Sequence, residues 1–385
     1  MATGSMAGPA MSGPAMASGD RPRNGAVGAI AVPPEVAIAP GGVPAKSLKP
    51  HDRYRVSIQE YVTFHEQGFL VVRGLVPLEE VRELVEHTEH LMHGRVDIPG
   101  IEPPQGATPQ EMERHFLRIH MLHRVLEIHE RFLLHPRILD VLQALIGPDV
   151  MAMQSMLFLK FPGGDGQGYH QDSYYIPTQP DTLCGAWLAV DRADEENGCM
   201  YFTPGTQHEP IYPTVGREHA NHGDALADLS VVEQVSNTDI RSNTLSRVAA
   251  KYPGREVAAI ADPGDVVFFG GHVLHRSHRN TSADRFRRSF VGHYANARSF
   301  TMWGYGYGDG TSTNDKQILA RGSTHLPYGQ PRFGTACAAN TPGLRGPAVS
   351  AGVPMMANMA DGDMLSTAPM DMGRNDPGIH DHDDE

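Results

Sequence analysis

From Val150 to Ala295 the chain is a succession of short apolar runs cut by turn residues. The runs are Val150–Phe161, Leu183–Val190, Met200–Thr203, Glu256–Ile260, Val266–Phe269 and Arg287–Ala295. Between them stand punctuators such as Pro162-Gly163-Gly164-Asp165-Gly166 and Asn197-Gly198. Apolar runs bounded in this way read as strands. So many short antiparallel strands are most simply accommodated by a jelly roll, which closes its sheet edges and leaves a central cavity. Ahead of this region the period changes. Ser57-Ile58-Gln59-Glu60 has the spacing of a capping box and predicts a helix through Tyr61, Val62, Phe64 and His65 that stops at Gly68. Phe69–Val76 reads as a buried strand. Pro77 opens a second helix, Leu78 to about Met92, with Val81, Leu84, Val85 and Leu91 on one stripe. Pro136–Ile146 is a further amphipathic helix ended by Gly147-Pro148. Helices first and strands afterwards predict an α+β fold, with the N-terminal helices packed on one sheet of a double-stranded β-helix.

The 385 residues divide by composition. Residues 1–48 are rich in Ala, Gly, Pro and Met and cannot bury enough surface to offset their ordering entropy, so they are expected to be disordered. Residues 49–340 form one folded domain, and 341–385 a disordered acidic tail. That tail concentrates much of the net charge of −13, leaving the body only mildly acidic. Residues 214–255 read as a long polar surface insertion. No apolar run is long enough to span a bilayer, and no charged n-region precedes an apolar stretch at the N-terminus. Cys184, Cys199 and Cys337 leave an odd thiol and no CxxC. A reducing, cytoplasmic setting is the expectation. No basic stripe with interleaved aromatics points to nucleic acid; a small-molecule partner is expected, and the oligomeric state is not legible.

Within the strand region lies Gly168-Tyr169-His170-Gln171-Asp172-Ser173. In extended chain His170 and Asp172 project to one side and Gln171 to the other. One imidazole and one carboxylate on a face supply two-thirds of a 2-His-1-carboxylate facial triad, the ligand set that leaves Fe(II) open positions. An isolated His-x-Asp is common, so a second histidine is required. The segment Asp262–Asn280 offers His272, His275 and His278. The outer two lie an odd number of residues from His275 and would face the other way, and periodicity does not choose among the three. The histidines at 115, 120, 123, 129 and 135 share no helical face and are not expected to bind metal; nor is His380-Asp381-His382, in the acidic tail.

The whole set of motifs carries more than the triad. Met151–Pro162 (MAMQSMLFLKFP), His170–Pro177 (HQDSYYIP), Ala186–Val190 (AWLAV), Glu196–Met200 (ENGCM) and Pro204–His208 (PGTQH) are followed by Gly264–Gly271 (GDVVFFGG), His275-x-Ser277-x-x-Asn280 and Arg287–Phe290 (RRSF). From about residue 55 to 300, in consistent order, they resemble the phytanoyl-CoA dioxygenase family. The resemblance implies a non-haem Fe(II)- and 2-oxoglutarate-dependent oxygenase using O2, with His170, Asp172 and His275 as metal ligands. It implies an arginine gripping the distal carboxylate of 2-oxoglutarate, a task suited to a planar fork. Asp284-Arg285-Phe286-Arg287-Arg288 departs from the family, since the interval from His275 is one residue longer than usual. His293, six residues past Arg287, keeps the family spacing and selects Arg287, with Arg285 as the alternative. Met156, Gln171 and Trp187 are implied in the cosubstrate pocket. Arg118 stands where relatives often carry a basic residue, though a solvated charge is the plainer reading there.

The implied activity is hydroxylation of an unactivated C–H bond with release of succinate and CO2. Asp172 argues against halogenation, because halogenating relatives replace the carboxylate by a small residue. Two other classes compete: a non-catalytic jelly-roll binding protein, disfavoured by the intact His170, Asp172, His275 and Arg287, and a divalent-metal hydrolase using the same ligands. The substrate is not legible. Tyr169, Tyr174, Tyr175 and Tyr294, with the aromatic segment reaching Tyr307, are candidates for a mouth or for rim packing.

Overall fold

The computed structural model describes residues 53–96, 98, 105–108, 111, 118–212, 245–252, 254–301 and 317–341. The expected disordered segment 1–48, all of the expected tail 341–385 except Thr341, most of the 214–255 insertion, Tyr305, Tyr307, His115, His380 and His382 lie outside the described residues.

Helix α1 spans Ile58–Gln67, and the expected capping box forms: Ser57 and Glu60 each take the other's backbone N–H. Gly68 ends the helix at φ +80°, a conformation that costs a residue without Cβ little. Strand β1 covers only Phe69–Val72, shorter than the apolar run. The reason is Asp265, whose carboxylate accepts from the Gly74 N–H at 2.8 Å and pairs with Arg73 at 2.7 Å, turning the chain away. Helix α2 (Leu78–Met92) buries Val81, Leu84 and Leu91, as its stripe predicted. The His-rich stretch resolves into β2 (Arg118–His120) and α3 (Glu127–Leu133), followed by α4 (Pro136–Leu145).

The strand region forms two main antiparallel sheets. Strands β3 (Val150–Lys160), β6 (Cys184–Ala189), β9 (Val266–Gly270), β11 (Arg287–Asn296) and β13 (Ile318–Arg321) join β1 in the order β1-β9-β6-β11-β3-β13, with β2 pairing β3. Strands β4 (Gln167–His170), β7 (Met200–Phe202), β8 (Val257–Ala259) and β10 (His275–Ser277) form a four-stranded sheet ordered β4-β10-β7-β8. Strands β5 (Thr178–Gln179) and β12 (Phe300–Thr301) make a separate short pair.

The period of two sorts β11 into two faces. Phe290 and Tyr294 are fully buried on the helix side. Phe290 lies 5.8 Å from Phe132 of α3, and the Tyr294 hydroxyl donates to the Leu133 carbonyl at 2.7 Å. Burying each such ring contributes about 1.5–3 kcal/mol, so the N-terminal helices are held on this sheet. Arg287, Ser289, Val291 and His293 alternate to the other face. In register with them stand Lys160, Phe158, Met156 and Gln154 of β3. That second face looks onto the four-stranded sheet: Phe69 stacks on Phe202 at 4.4 Å and Phe269 lies 4.9 Å from His275. The site lies between these faces.

Candidate metal centre

His170 closes β4, and Asp172 does not continue it. Gln171 remains extended and Asp172 starts a one-turn helix, α5 (Asp172–Tyr175). The shared face expected from strand alternation is therefore reached by a strand-to-helix break. The result is close: His170 Nε2 is 3.6 Å from Asp172 Oδ1. His275 opens β10, directly paired with His170 across the ladder, and its Nε2 is 3.7 Å from the same oxygen. The imidazole centroids are 4.0 Å apart. One ligand atom from each of the three buried residues falls within 4.8 Å of the others, the arrangement of a site that could hold a metal ion.

The tautomers are set from behind. His170 Nδ1 is 2.9 Å from the Gly168 carbonyl and His275 Nδ1 is 3.1 Å from that of Val273. A carbonyl only accepts, so each Nδ1 carries the proton and each Nε2 keeps its lone pair. Burial, then the neighbouring His275, pushes the His170 pKa down to about 3, which leaves the neutral imidazole that ligates metal. Burial works against the Asp172 carboxylate, but His275, His293 and His170 together hold its pKa well below the ordinary range. His272 and His278 are engaged elsewhere. His272 Nε2 is 2.8 Å from Asp181 and His278 stacks on Tyr201 at 4.2 Å. The three histidines that periodicity could not separate are separated by their partners.

Next to the triad is a cation-rich face. Arg287 is 4% exposed, lies 5.6 Å from the Trp187 ring, and its Nε has no hydrogen-bond partner. Burial pushes its pKa down to about 10. Arg285, by contrast, pairs at the surface with Asp194 at 2.9 Å and Glu196 at 2.6 Å. Arg118 is in register with Phe158 and lies 4.9 Å from its ring. Its Nε is likewise buried without a partner, on a residue that is itself half-buried rather than fully solvated. Met156 and Trp187 both pair with Val291 and reach this same face. The Gln171 amide is taken up by backbone, donating to Pro210 and His272 carbonyls at 3.0 Å each and accepting from the Tyr212 N–H.

Sequence reasoning missed two residues here. His293, used only as a spacing marker, places Nε2 3.1 Å from Asp172 Oδ2. Lys160, embedded in an apolar run, is buried opposite Arg287. Counting even steps along β11 from Arg287 reaches His293 and was the available signal; Lys160 had none. The donor set fits the two groups the resemblance implied. Two imidazoles and a carboxylate suit a ferrous ion, and buried guanidinium nitrogens without partners suit a ligand carboxylate, since such groups are rarely left unpaired.

A model of the family described as "Phytanoyl-CoA dioxygenase (PhyH)" matches residues 64–289, more than half of the chain. The peroxisomal phytanoyl-CoA dioxygenase of Rattus norvegicus is 27% identical over 265 residues, covering 64% of this chain and 70% of that protein. The phytanoyl-CoA dioxygenase domain-containing protein 1 of Danio rerio is 25% identical over 284 residues, 64% of this chain and 91% of the relative. Among solved structures, EctD from S. alaskensis with 2-oxoglutarate and 5-hydroxyectoine is 20% identical, covering 65% of this chain and 82% of its own with a TM-score of 0.47. With that family match spanning His170, Asp172, His275 and Arg287, the chain belongs to the phytanoyl-CoA dioxygenase family, a 2-oxoglutarate-dependent dioxygenase whose cofactors are Fe(II) and 2-oxoglutarate.

Proposed function

We propose that this enzyme hydroxylates an unactivated C–H bond of a small-molecule metabolite, releasing succinate and CO2, with His170, Asp172 and His275 as the metal ligands. On the same reading its two facing sheets are the halves of a double-stranded β-helix, Arg287 anchors 2-oxoglutarate, and Met156, Trp187 and Arg118 line that pocket. The observation that carries the reading is the convergence of three buried ligand atoms within 4.8 Å, each imidazole with its Nδ1 tied to a backbone carbonyl.

When bound, Fe(II) supplies the activation of O2 and the oxidative decarboxylation of the keto acid. The chain's own residues do the rest. His170 and His275 present preset lone pairs, so little reorganisation accompanies metal entry. His293 holds one carboxylate oxygen of Asp172 and leaves the other directed at the histidines. Arg287, desolvated beside Trp187, is a preformed fork for a carboxylate, and exclusion of water strengthens that contact. Among the described residues no helix is long and apolar enough to cross a membrane. The buried thiols Cys184, Cys199 and Cys337, all free, support a reducing compartment such as the cytoplasm.

The test is anaerobic addition of Fe(II) and then 2-oxoglutarate to the purified protein. A visible metal-to-ligand charge-transfer band that requires both additions is expected, with succinate appearing on admission of air. Absence of the band at saturating concentrations would remove the reading, and a metabolite-extract screen scored by succinate then seeks the substrate.

A further inference from the structure

The four-stranded sheet has a second face, and that face carries a pocket of its own. Tyr169 and Arg276 stand next to His170 and His275 on β4 and β10, so strand alternation turns them away from the metal centre. Across the ladder the Arg276 guanidinium lies 4.7 Å from the Tyr169 ring. The rung that pairs the two imidazoles is thus backed by a second pair on the outer side. Helix α6 (Leu245–Ala249) packs there, with Leu245, Val248 and Ala249 clustered on Tyr169, Tyr212 and Leu274. Between α6 and the sheet is a pocket of about 310 Å³, whose wall includes Tyr169, Thr203, Ser246, Tyr252, Glu256 and Arg276.

The charges around this pocket leave a cation over. Glu256 is fully engaged: Oε1 accepts from the Tyr169 hydroxyl and from Arg276 Nε, each at 2.6 Å, and Oε2 from Arg276 Nη2 at 2.7 Å. A guanidinium has five N–H donors, and these bonds leave Arg276 Nη1 without an acceptor among the described residues. The side chain is only 17% exposed and lines the pocket, so that donor belongs to the pocket wall. Glu209, the next carboxylate, is capped by the Tyr212 and Tyr252 hydroxyls, and the cation acting on it is Lys251. Arg255 remains. It lies 5.9 Å from the Tyr252 ring and makes no ion pair among the described residues. Gly205 makes room for it: at φ +96°, a Cβ there would meet Arg255 Nη1 at 3.0 Å and Tyr252 Cε1 at 3.2 Å.

We propose that this pocket is a second ligand site for a small organic carboxylate, its head held by Arg276 Nη1 and Arg255 and its apolar body resting on Tyr252, Ala249 and Ala250. Charge assistance makes a carboxylate the natural partner of a guanidinium donor left without one. An occupant that orders the Tyr169–Arg276 pair also orders the His170–His275 rung behind it. The second ligand to arrive then meets less disorder, so the carboxylate tightens metal binding. That coupling rests on the metal-ligand reading given above; the carboxylate site does not.

The experiment titrates benzoate into the full-length protein by calorimetry, with and without saturating Mn(II), in wild type, Arg276→Lys, Arg255→Ala and Arg287→Met. Arg276→Lys keeps a cation for Glu256 and Arg255 is exposed, so both variants should fold. Expected is one saturable benzoate site, weakened by about fivefold or more in Arg276→Lys and in Arg255→Ala and unchanged in Arg287→Met. No saturable binding, binding indifferent to Arg276→Lys and Arg255→Ala, or loss in Arg287→Met alone would overturn the site; the last would put benzoate in the cosubstrate pocket. For the coupling, saturating benzoate should lower the Mn(II) Kd by about threefold or more, and Mn(II) should tighten benzoate by the same factor. Unchanged or weakened Mn(II) binding would overturn the coupling. Failure of wild type to take up Mn(II) at all would instead count against the metal-centre reading, and the titration without metal would still decide the carboxylate site.

Discussion

His293 Nε2 lies 3.1 Å from Asp172 Oδ2, while Asp172 Oδ1 is the oxygen that faces His170 at 3.6 Å and His275 at 3.7 Å. The carboxylate is divided, one oxygen turned toward the candidate ligand atoms and the other fixed from β11. Partners of metal ligands typically change affinity by about 10–100-fold when removed. His293→Ala should therefore weaken Fe(II) or Mn(II) binding by about that factor, with His293→Gln recovering part of it by donating an amide N–H. Metal titration monitored by calorimetry reads the change, and wild-type affinity in His293→Ala would refute the orienting role.

Arg287 and Arg285, two residues apart, have opposite environments, and that contrast is testable. Arg287 is buried with an unpartnered Nε, whereas Arg285 is held at the surface by Asp194 and Glu196. Loss of a desolvated charge-assisted contact is worth about 3 kcal/mol, roughly a hundredfold in affinity. Arg287→Met should raise the 2-oxoglutarate Kd by about that factor. Arg285→Ala should leave it unchanged and cost less than about 1 kcal/mol of stability. The reverse ranking in a binding titration would assign the anchor to Arg285.

The pair that disqualified His272 as a ligand gives a pH dependence. Burial opposes charge on His272, but its bond to Asp181, its bond to the Glu209 carbonyl and the Asp181 charge together outweigh burial and raise its pKa. Asp181 is lowered by the same bond, again against burial. The raised histidine contributes stability that is full below its unfolded pKa, about 6.5, and fades as pH rises through the folded value. The lowered aspartate contributes above its unfolded pKa, about 3.9, and loses it as pH falls through the folded value. The urea midpoint of wild type minus that of Asp181→Asn should thus be largest between about pH 4 and 6.5 and shrink toward pH 8. A difference independent of pH would show that the pair is not ionised.

What the sequence disclosed followed the range of the forces involved. Helices α1 and α2 were legible to the residue because Ser57, Glu60, Gly68 and Pro77 act within one turn of the backbone they terminate. Strand β1 was overextended because the group that ends it, Asp265, lies far along the chain. His170 and Asp172 were seen as a pair, yet the means of pairing, a break from β4 into α5, was hidden behind the assumption of continuous strand. His275 could not be separated from His272 and His278 by periodicity, since β10 is only three residues long and the distinction lies in Asp181 and Tyr201. Arg287 needed burial to stand out from Arg285. Lys160 reads as an interruption in an apolar strand until Ser277 is brought across to it.

Glu130 ties the C-terminal segment to the helical layer. It is fully buried in α3 and takes four donors from one stretch: the backbone N–H groups of Arg332, Phe333 and Thr335 and the Thr335 hydroxyl. Three amides from one four-residue stretch converge on this carboxylate and form an anion cradle built from the chain itself. Removing the carboxylate strands buried donors, each costing about 1–3 kcal/mol, whereas a glutamine keeps an acceptor oxygen but turns an N–H toward donors. Glu130→Gln should therefore lower stability by about 2 kcal/mol and Glu130→Ala by about 4. In both variants limited proteolysis should cut between residues 331 and 341 sooner than in wild type. The metal centre is built on other elements, so Fe(II) affinity of folded Glu130→Gln should match wild type; protection of the segment in both variants would show that the rest of its packing, not this carboxylate, holds it.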